Sequence, residues 1–242
     1  MINKKIVSLF ILTVITCCSN NKLLARQAPF DTIRIACIGN SITYGARLAN
    51  PAEDSYPAVL QHLFDGNNIT VKNFGISGAT MIKFGQPNVW KQLDKIKLYL
   101  PNVVIIMIGT NETVSGDRKN WEHISDFEND YYDFLSQLKS LASHPIVYVC
   151  SPTDMVLATP GLSESRLQDL SLRRTRLWKL RKKVSSIARV SGVHFIDLTP
   201  KFKGKPQLIT PGDGVHPNKA GYHFLAKIIF KKIKHTVNQL TK

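Results

Sequence analysis

The chain has 242 residues, 43% of them hydrophobic and 20% charged, enough apolar material for one sizeable core and too much for a disordered segment. No repeat or low-complexity tract divides it, which excludes solenoid and fibrous classes. The net charge is +15, and the excess lies late, in Arg173-Arg174-Thr175-Arg176, Lys179-Leu180-Arg181-Lys182-Lys183 and Lys231-Lys232-Ile233-Lys234. Those residues share helices with Leu172, Leu177, Leu180 and Val184 at core spacing, the pattern of a solvated helix face, and a nucleic-acid partner is not expected. The same charge would draw acidic glycans or anionic envelope surfaces toward the protein.

In chain order, Met1-Ile2-Asn3-Lys4-Lys5 and the apolar stretch Ile6 to Thr16 have the pattern of an export signal, too short to span a bilayer. Residues 1–28 are therefore set apart from a single domain over 29–242. Cys17 and Cys18 close the stretch ahead of Ser19-Asn20-Asn21, which resembles the lipid-modified cysteine of bacterial lipoproteins. Cleavage after Ala25 or Ala28 is the alternative, and both readings take the protein out of the cytoplasm, with a membrane reached only through such a lipid. Strands are then predicted over 33–38, 69–74, 103–108, 146–150 and 193–197. They alternate with helices over 55–64, 88–99, 124–142, 166–190 and 218–238. Runs such as Val103-Val104-Ile105-Ile106-Met107-Ile108 are apolar throughout, as burial on two faces demands, so the fold class is α/β: a parallel sheet with helices on both faces.

Ser41 follows the first strand directly, inside Gly39-Asn40-Ser41-Ile42-Thr43-Tyr44-Gly45. A serine where a buried strand turns into a helix presents its hydroxyl at the strand's carboxyl end, where open α/β sheets build their sites. An alcohol is a weak nucleophile and needs an imidazole with a partner that fixes its tautomer. Asp213-Gly214-Val215-His216-Pro217-Asn218 can supply both, although Asp-x-x-His before Pro-Asn is also a common turn and helix cap. Two more fragments follow strands, Asn73-Phe74-Gly75-Ile76-Ser77-Gly78 and Gly109-Thr110-Asn111-Glu112.

These four blocks, in this order over nearly all of the mature chain, resemble the SGNH hydrolases, the GDSL-like esterases and lipases. The resemblance implies a three-layer flavodoxin-like fold with a five-stranded parallel sheet in the order 2-1-3-4-5. It also implies Ser41 as nucleophile, His216 and Asp213 as base and orienter, and an oxyanion hole from the N–H groups of Ser41 and Gly78 and the Asn111 amide. Asn40 stands where the family name records Asp, keeping the hydrogen-bonding shape without the charge. Gly78 also suits a positive-φ loop position, and Asn111 a helix cap. In that sheet Cys37 and Cys150 fall on strands that are not neighbours, so no disulfide between them is expected.

The six other histidines, at 62, 123, 144, 194, 223 and 235, form no metal-ligand pair with a carboxylate, so neither metal nor cofactor is expected. The loop from Ser151 to Glu164, with Arg47 and Phe84, is the candidate substrate rim. The expected activity is an exported serine esterase of the carbohydrate O-acetylesterase kind, sialate or xylan acetylesterase-like, working on a small-molecule or glycan ester through an acyl-enzyme. A lysophospholipase or thioesterase of the same family is the alternative, and a glycan-binding protein without activity is a further one.

Overall fold

The computed structural model describes residues 32–65 and 68–241. The expected export signal, with Cys17, Cys18, Ala25 and Ala28, lies outside the described residues. Five strands carry the fold: β1 (Ile33–Gly39), β2 (Ile69–Gly75), β3 (Val103–Met107), β4 (Ile146–Cys150) and β5 (His194–Ile196). All pairings are parallel and the order is β2-β1-β3-β4-β5, the expected doubly wound arrangement. The helices are α1 (Ser41–Tyr44), α2 (Pro51–Asp54), α3 (Tyr56–Leu63), α4 (Leu93–Tyr99), α5 (Phe127–Lys139), α6 (Glu164–Val190), α7 (Thr199–Phe202) and α8 (Lys219–Leu240).

Alternation along the strands builds two cores. Ile33, Ile35 and Cys37 of β1 face one side, with Leu60 of α3 and Leu225, Ile229 and Ile233 of α8. Ala36 and Ile38 face the other, with Ile96 of α4, Phe134 of α5 and Leu180, Val184 and Ile187 of α6. Every residue of β3 is buried, since it sits mid-sheet with helices above and below. Each such apolar side chain stabilises the fold by about 1.5–3 kcal/mol relative to exposure. A third, smaller cluster of Met155, Leu170, Leu177 and Val215 fastens the first half of α6 to the loop before α8.

Cys37 and Cys150 are both free and buried, with β3 between their strands. Two strand spacings, about 9.5 Å, exceed what a disulfide spans. Among the described residues no helix is long and apolar enough to cross a membrane.

Candidate active site

Three of the strands end beneath one cavity of about 250 Å³, lined by Ser41, Gly78, Asn111 and His216 among others. After β1 the chain turns at Gly39, where a Cβ would run into Thr43 Oγ1 and the Met107 carbonyl. The Asn40 side chain then accepts the Ile42 N–H at 3.0 Å, so the amide fills the capping place with no need of a charge. Ser41 opens α1 and is 6% exposed, its hydroxyl turned toward the cavity wall that carries His216.

Ser41 Oγ lies 2.8 Å from His216 Nε2, across 175 residues of sequence. His216 Nδ1 faces Asp213 Oδ1 at 2.9 Å and Oδ2 at 3.0 Å. With its proton on Nδ1 against the carboxylate, the neutral ring offers Nε2 as acceptor to the serine hydroxyl. Asp213 also folds its own loop, because Oδ1 accepts the N–H groups of Val215 at 3.0 Å and His216 at 2.8 Å. Burial pushes its carboxyl up, but the His216 hydrogen bond and charge, with those two backbone donors, outweigh it and hold the group well below the usual carboxylate range. The base loop is held in turn: Val156 N–H donates to the Gly214 carbonyl at 2.9 Å and Gly212 N–H to that of Pro160 at 2.8 Å.

Opposite stand Gly78 and Asn111. Gly78 has φ +81°, a left-handed value that leaves its N–H without a protein acceptor among the described residues. Asn111 donates one Nδ2 hydrogen to the Ala79 carbonyl at 2.9 Å, which fixes the amide and leaves its second hydrogen free. The next residue, Glu112, is fully buried and accepts the Met81 N–H at 2.5 Å, tying the loop of Asn111 to the loop of Gly78. Burial pushes its carboxyl up to about 7, against the hydrogen bonds of Met81, Glu112 and Gly109.

Of the residues singled out in the sequence, Ser41, Gly78, Asn111 and His216 line the cavity and Asp213 stands directly behind the imidazole. Arg47 does not line it; its Nε donates to Asp213 Oδ2 at 3.1 Å. Phe84 is 48% exposed and stacks on His123 at 3.5 Å between ring centroids, away from the cavity lining. The 151–164 loop supports the base loop and borders a neighbouring groove with Leu157, Arg174, Trp178 and Lys203 instead.

The basic stretch of α6 departs from a plain solvated face. Arg173 is 9% exposed and reaches the cavity, Arg174 pairs with Asp154 at 2.8 Å, and Arg181 and Lys183 pair with Asp197 and Glu128. Leu172, assigned to the core by its spacing, is 56% exposed, whereas Leu177, Leu180 and Val184 are buried. Three arginines that no motif marked, Arg118, Arg166 and Arg173, line the cavity. Their only sequence signal is the positive excess itself. Among the described residues no three His, Cys, Asp or Glu side chains gather as a metal site would need.

A doubly wound parallel sheet with a serine, a histidine and an aspartate assembled beyond its carboxyl ends has the build of an acyl-transfer scaffold. The sequence model of the GDSL-like Lipase/Acylhydrolase family matches residues 37–224, and the chain belongs to that family. It is similar to a protein named acetylxylan esterase from Xylanibacter ruminicola, 29% identical over 237 residues, covering 88% of this chain and 46% of that protein. A multidomain esterase from Ruminococcus flavefaciens is 26% identical over 238 residues, covering 84% and 28%. The chain thus spans less than half the length of these two curated relatives. Among solved structures, Est24, a carbohydrate acetylesterase from Sinorhizobium meliloti, shares the fold with a TM-score of 0.65 at 20% identity, over 85% of this chain and all of that one.

Proposed function

We propose that the protein is an exported serine esterase that removes O-acetyl groups from carbohydrates. The observation that carries this is Ser41 Oγ at 2.8 Å from His216 Nε2, with the donors of Gly78 and Asn111 lining the same cavity. In the proposed cycle His216 takes the hydroxyl proton as Ser41 Oγ attacks the ester carbonyl carbon. The negative oxygen so formed is met by the N–H groups of Ser41 and Gly78 and by Asn111 Nδ2. As the intermediate collapses, His216 returns the proton to the departing sugar oxygen and the acetyl group stays on Ser41. Water, deprotonated by His216, attacks that acetyl carbon; acetate leaves and the proton returns to Ser41.

The cavity supports a short acyl group, since about 250 Å³ is below the ~300–1,000 Å³ typical of drug-sized ligand pockets. The names of one relative, an acetylxylan esterase, and of the structural neighbour, a carbohydrate acetylesterase, point the same way. Export rests on the Met1 to Thr16 pattern and is checked by separating envelope, periplasmic and cytosolic fractions.

The test is hydrolysis of p-nitrophenyl acetate, octanoate and palmitate by the wild type and by Ser41→Ala. The acetate ester is expected to be cleaved fastest, with turnover falling by about 10³ or more in the folded variant. A preference for palmitate would favour the lysophospholipase alternative. A Ser41→Ala protein that kept most of its activity would remove Ser41 from its role.

A further inference from the structure

The acyl-transfer steps need no fixed positive charge, yet three guanidinium groups and no carboxylate line the cavity. Arg118 stands on the oxyanion side: its Nη2 donates to the Gly78 carbonyl at 2.6 Å, and Nη1 lies 3.7 Å from where a Gly78 Cβ would be. Its other bond, at 3.2 Å, also goes to a carbonyl, that of Gln86, and it makes no direct ion pair among the described residues. Arg166 stands on the base side, with Nε donating to the Asp213 carbonyl at 3.1 Å. Arg173, with Nε 3.1 Å from Thr113 Oγ1, comes from below Asn111.

The charges do not balance. Arg166 Nη1 and Arg173 Nη1 share a single oxygen, Asp169 Oδ2, at 3.0 and 3.1 Å. Asp213 is committed to His216 and takes Arg47 besides. Glu112, the buried acid that feels the charge of Arg118, accepts the Met81 N–H with Oε1, and its Oε2 makes no hydrogen bond to any arginine among the described residues. Burying the Arg173 guanidinium to nine-tenths with a shared counter-ion is costly, and the half-buried guanidinium groups of Arg118 and Arg166 add to the positive charge at the same cavity. The Nη2 atoms of Arg166 and Arg173 and the Nε and Nη1 atoms of Arg118 have no protein acceptor among the described residues. Planar forks of this kind match a carboxylate, whereas the hydroxyls of a neutral sugar leave the charge uncompensated.

We propose that the alcohol part of the substrate carries a carboxylate beside the scissile acetyl, so that the ester is an O-acetylated acidic sugar held by Arg118, Arg166 and Arg173. This rests on the esterase function above and adds which class of sugar enters.

Two substrates differing only in charge test it: an O-acetylated galacturonic acid and the same compound as its carboxamide, with acetate release followed at low and at molar salt. The acid is expected to show kcat/KM about tenfold or more above the amide, mostly through KM, with the ratio shrinking in salt. In Arg118→Gln, or Arg166→Gln if the first fails to fold, the ratio should drop toward one. Any loss of oxyanion geometry strikes both substrates alike and cancels. Equal rates on both in the wild type, or a ratio unmoved by both variants, would overturn the proposal. Calorimetric binding of free galacturonic acid and galacturonamide to Ser41→Ala separates it from the esterase function. Selective binding of the acid without turnover of either ester would keep the anion site and remove the esterase, while equal binding beside normal esterase activity would do the reverse.

Discussion

Asp213 does two things with one carboxylate: it fixes the backbone turn that points His216 at Ser41, and it fixes the tautomer of that ring. On the opposite wall Asn111 is braced by its bond to Ala79, so its amide is set before any ester arrives. Asn111→Ala is expected to lower kcat by about 10²–10³ with KM for p-nitrophenyl acetate little changed; the lost Ala79 bond costs about 1 kcal/mol in denaturant melts. Glu112 gives a pH signature. Below its ordinary value of 4.5 the folded and unfolded chains both hold the proton, and above it the unfolded chain releases first because burial holds the folded group at about 7. Stability attributable to this group therefore falls between those two values, by up to about 1.4 kcal/mol per pH unit, and levels off above. Glu112→Gln keeps an oxygen for the Met81 N–H and removes the titration. Wild-type and variant unfolding free energies, measured from pH 4 to 8, should diverge across that window, with the variant gaining on the wild type. Parallel curves would mean that Glu112 titrates in the fold at its ordinary value.

At the scale of elements, the turn from β1 into α1 is the tightest part of the site. Gly39→Ala would press a methyl group against Thr43 Oγ1 and the Met107 carbonyl, and the carbonyl belongs to a central strand that cannot move aside. A loss of about 1–3 kcal/mol is expected, together with a fall in kcat as Ser41 shifts, read from melts and initial rates on one preparation. This turn was legible in the sequence because everything that defines it is local: an apolar strand, a glycine, a capping asparagine and a serine. The strands agree with expectation to within one residue at each end for the same reason, their apolar runs being the signal of a sheet covered on both faces. Helix starts were less legible. Val89–Gln92 and Ile124–Asp126 are 3₁₀ turns ahead of α4 and α5, and the apolar pattern runs through both kinds of helix. The arginines of the cavity showed in the sequence only as part of the positive excess, not as site residues. Arg118 arrives from a 3₁₀ turn, Gly116–Arg118, and Arg166 and Arg173 from one helix, which the packing of Leu170 and Leu177 against Met155 and Val215 holds near His216.

Over the whole molecule, two helical layers cover the sheet and leave its carboxyl edge open, so the candidate site residues gather at that edge, Ser41 at the start of α1 and Gly78, Asp213 and His216 from loops. The covered interior makes a prediction of its own. Burial pushes the Cys37 thiol up to about 12 and the Cys150 thiol higher still, and neither is exposed. Iodoacetamide should leave both unmodified in the folded protein, and mass spectrometry should find them labelled together, at the rate of global unfolding. Early labelling of Cys150 alone would reveal that the β4–β5 side of the sheet opens independently.

The hydrogen bond that joins Ser41 to His216 closes a loop of 175 residues, nearly the length of the described fold. Ser41 is among the first described residues to be synthesised, and His216 comes 175 residues later. A growing chain therefore holds a serine that is chemically silent: until α8 docks behind its final turn, the hydroxyl has no acceptor for its proton. Under the proposed function, a form in which these distant segments have not met cannot hydrolyse esters by this route, and the return of activity during refolding would report the moment they join.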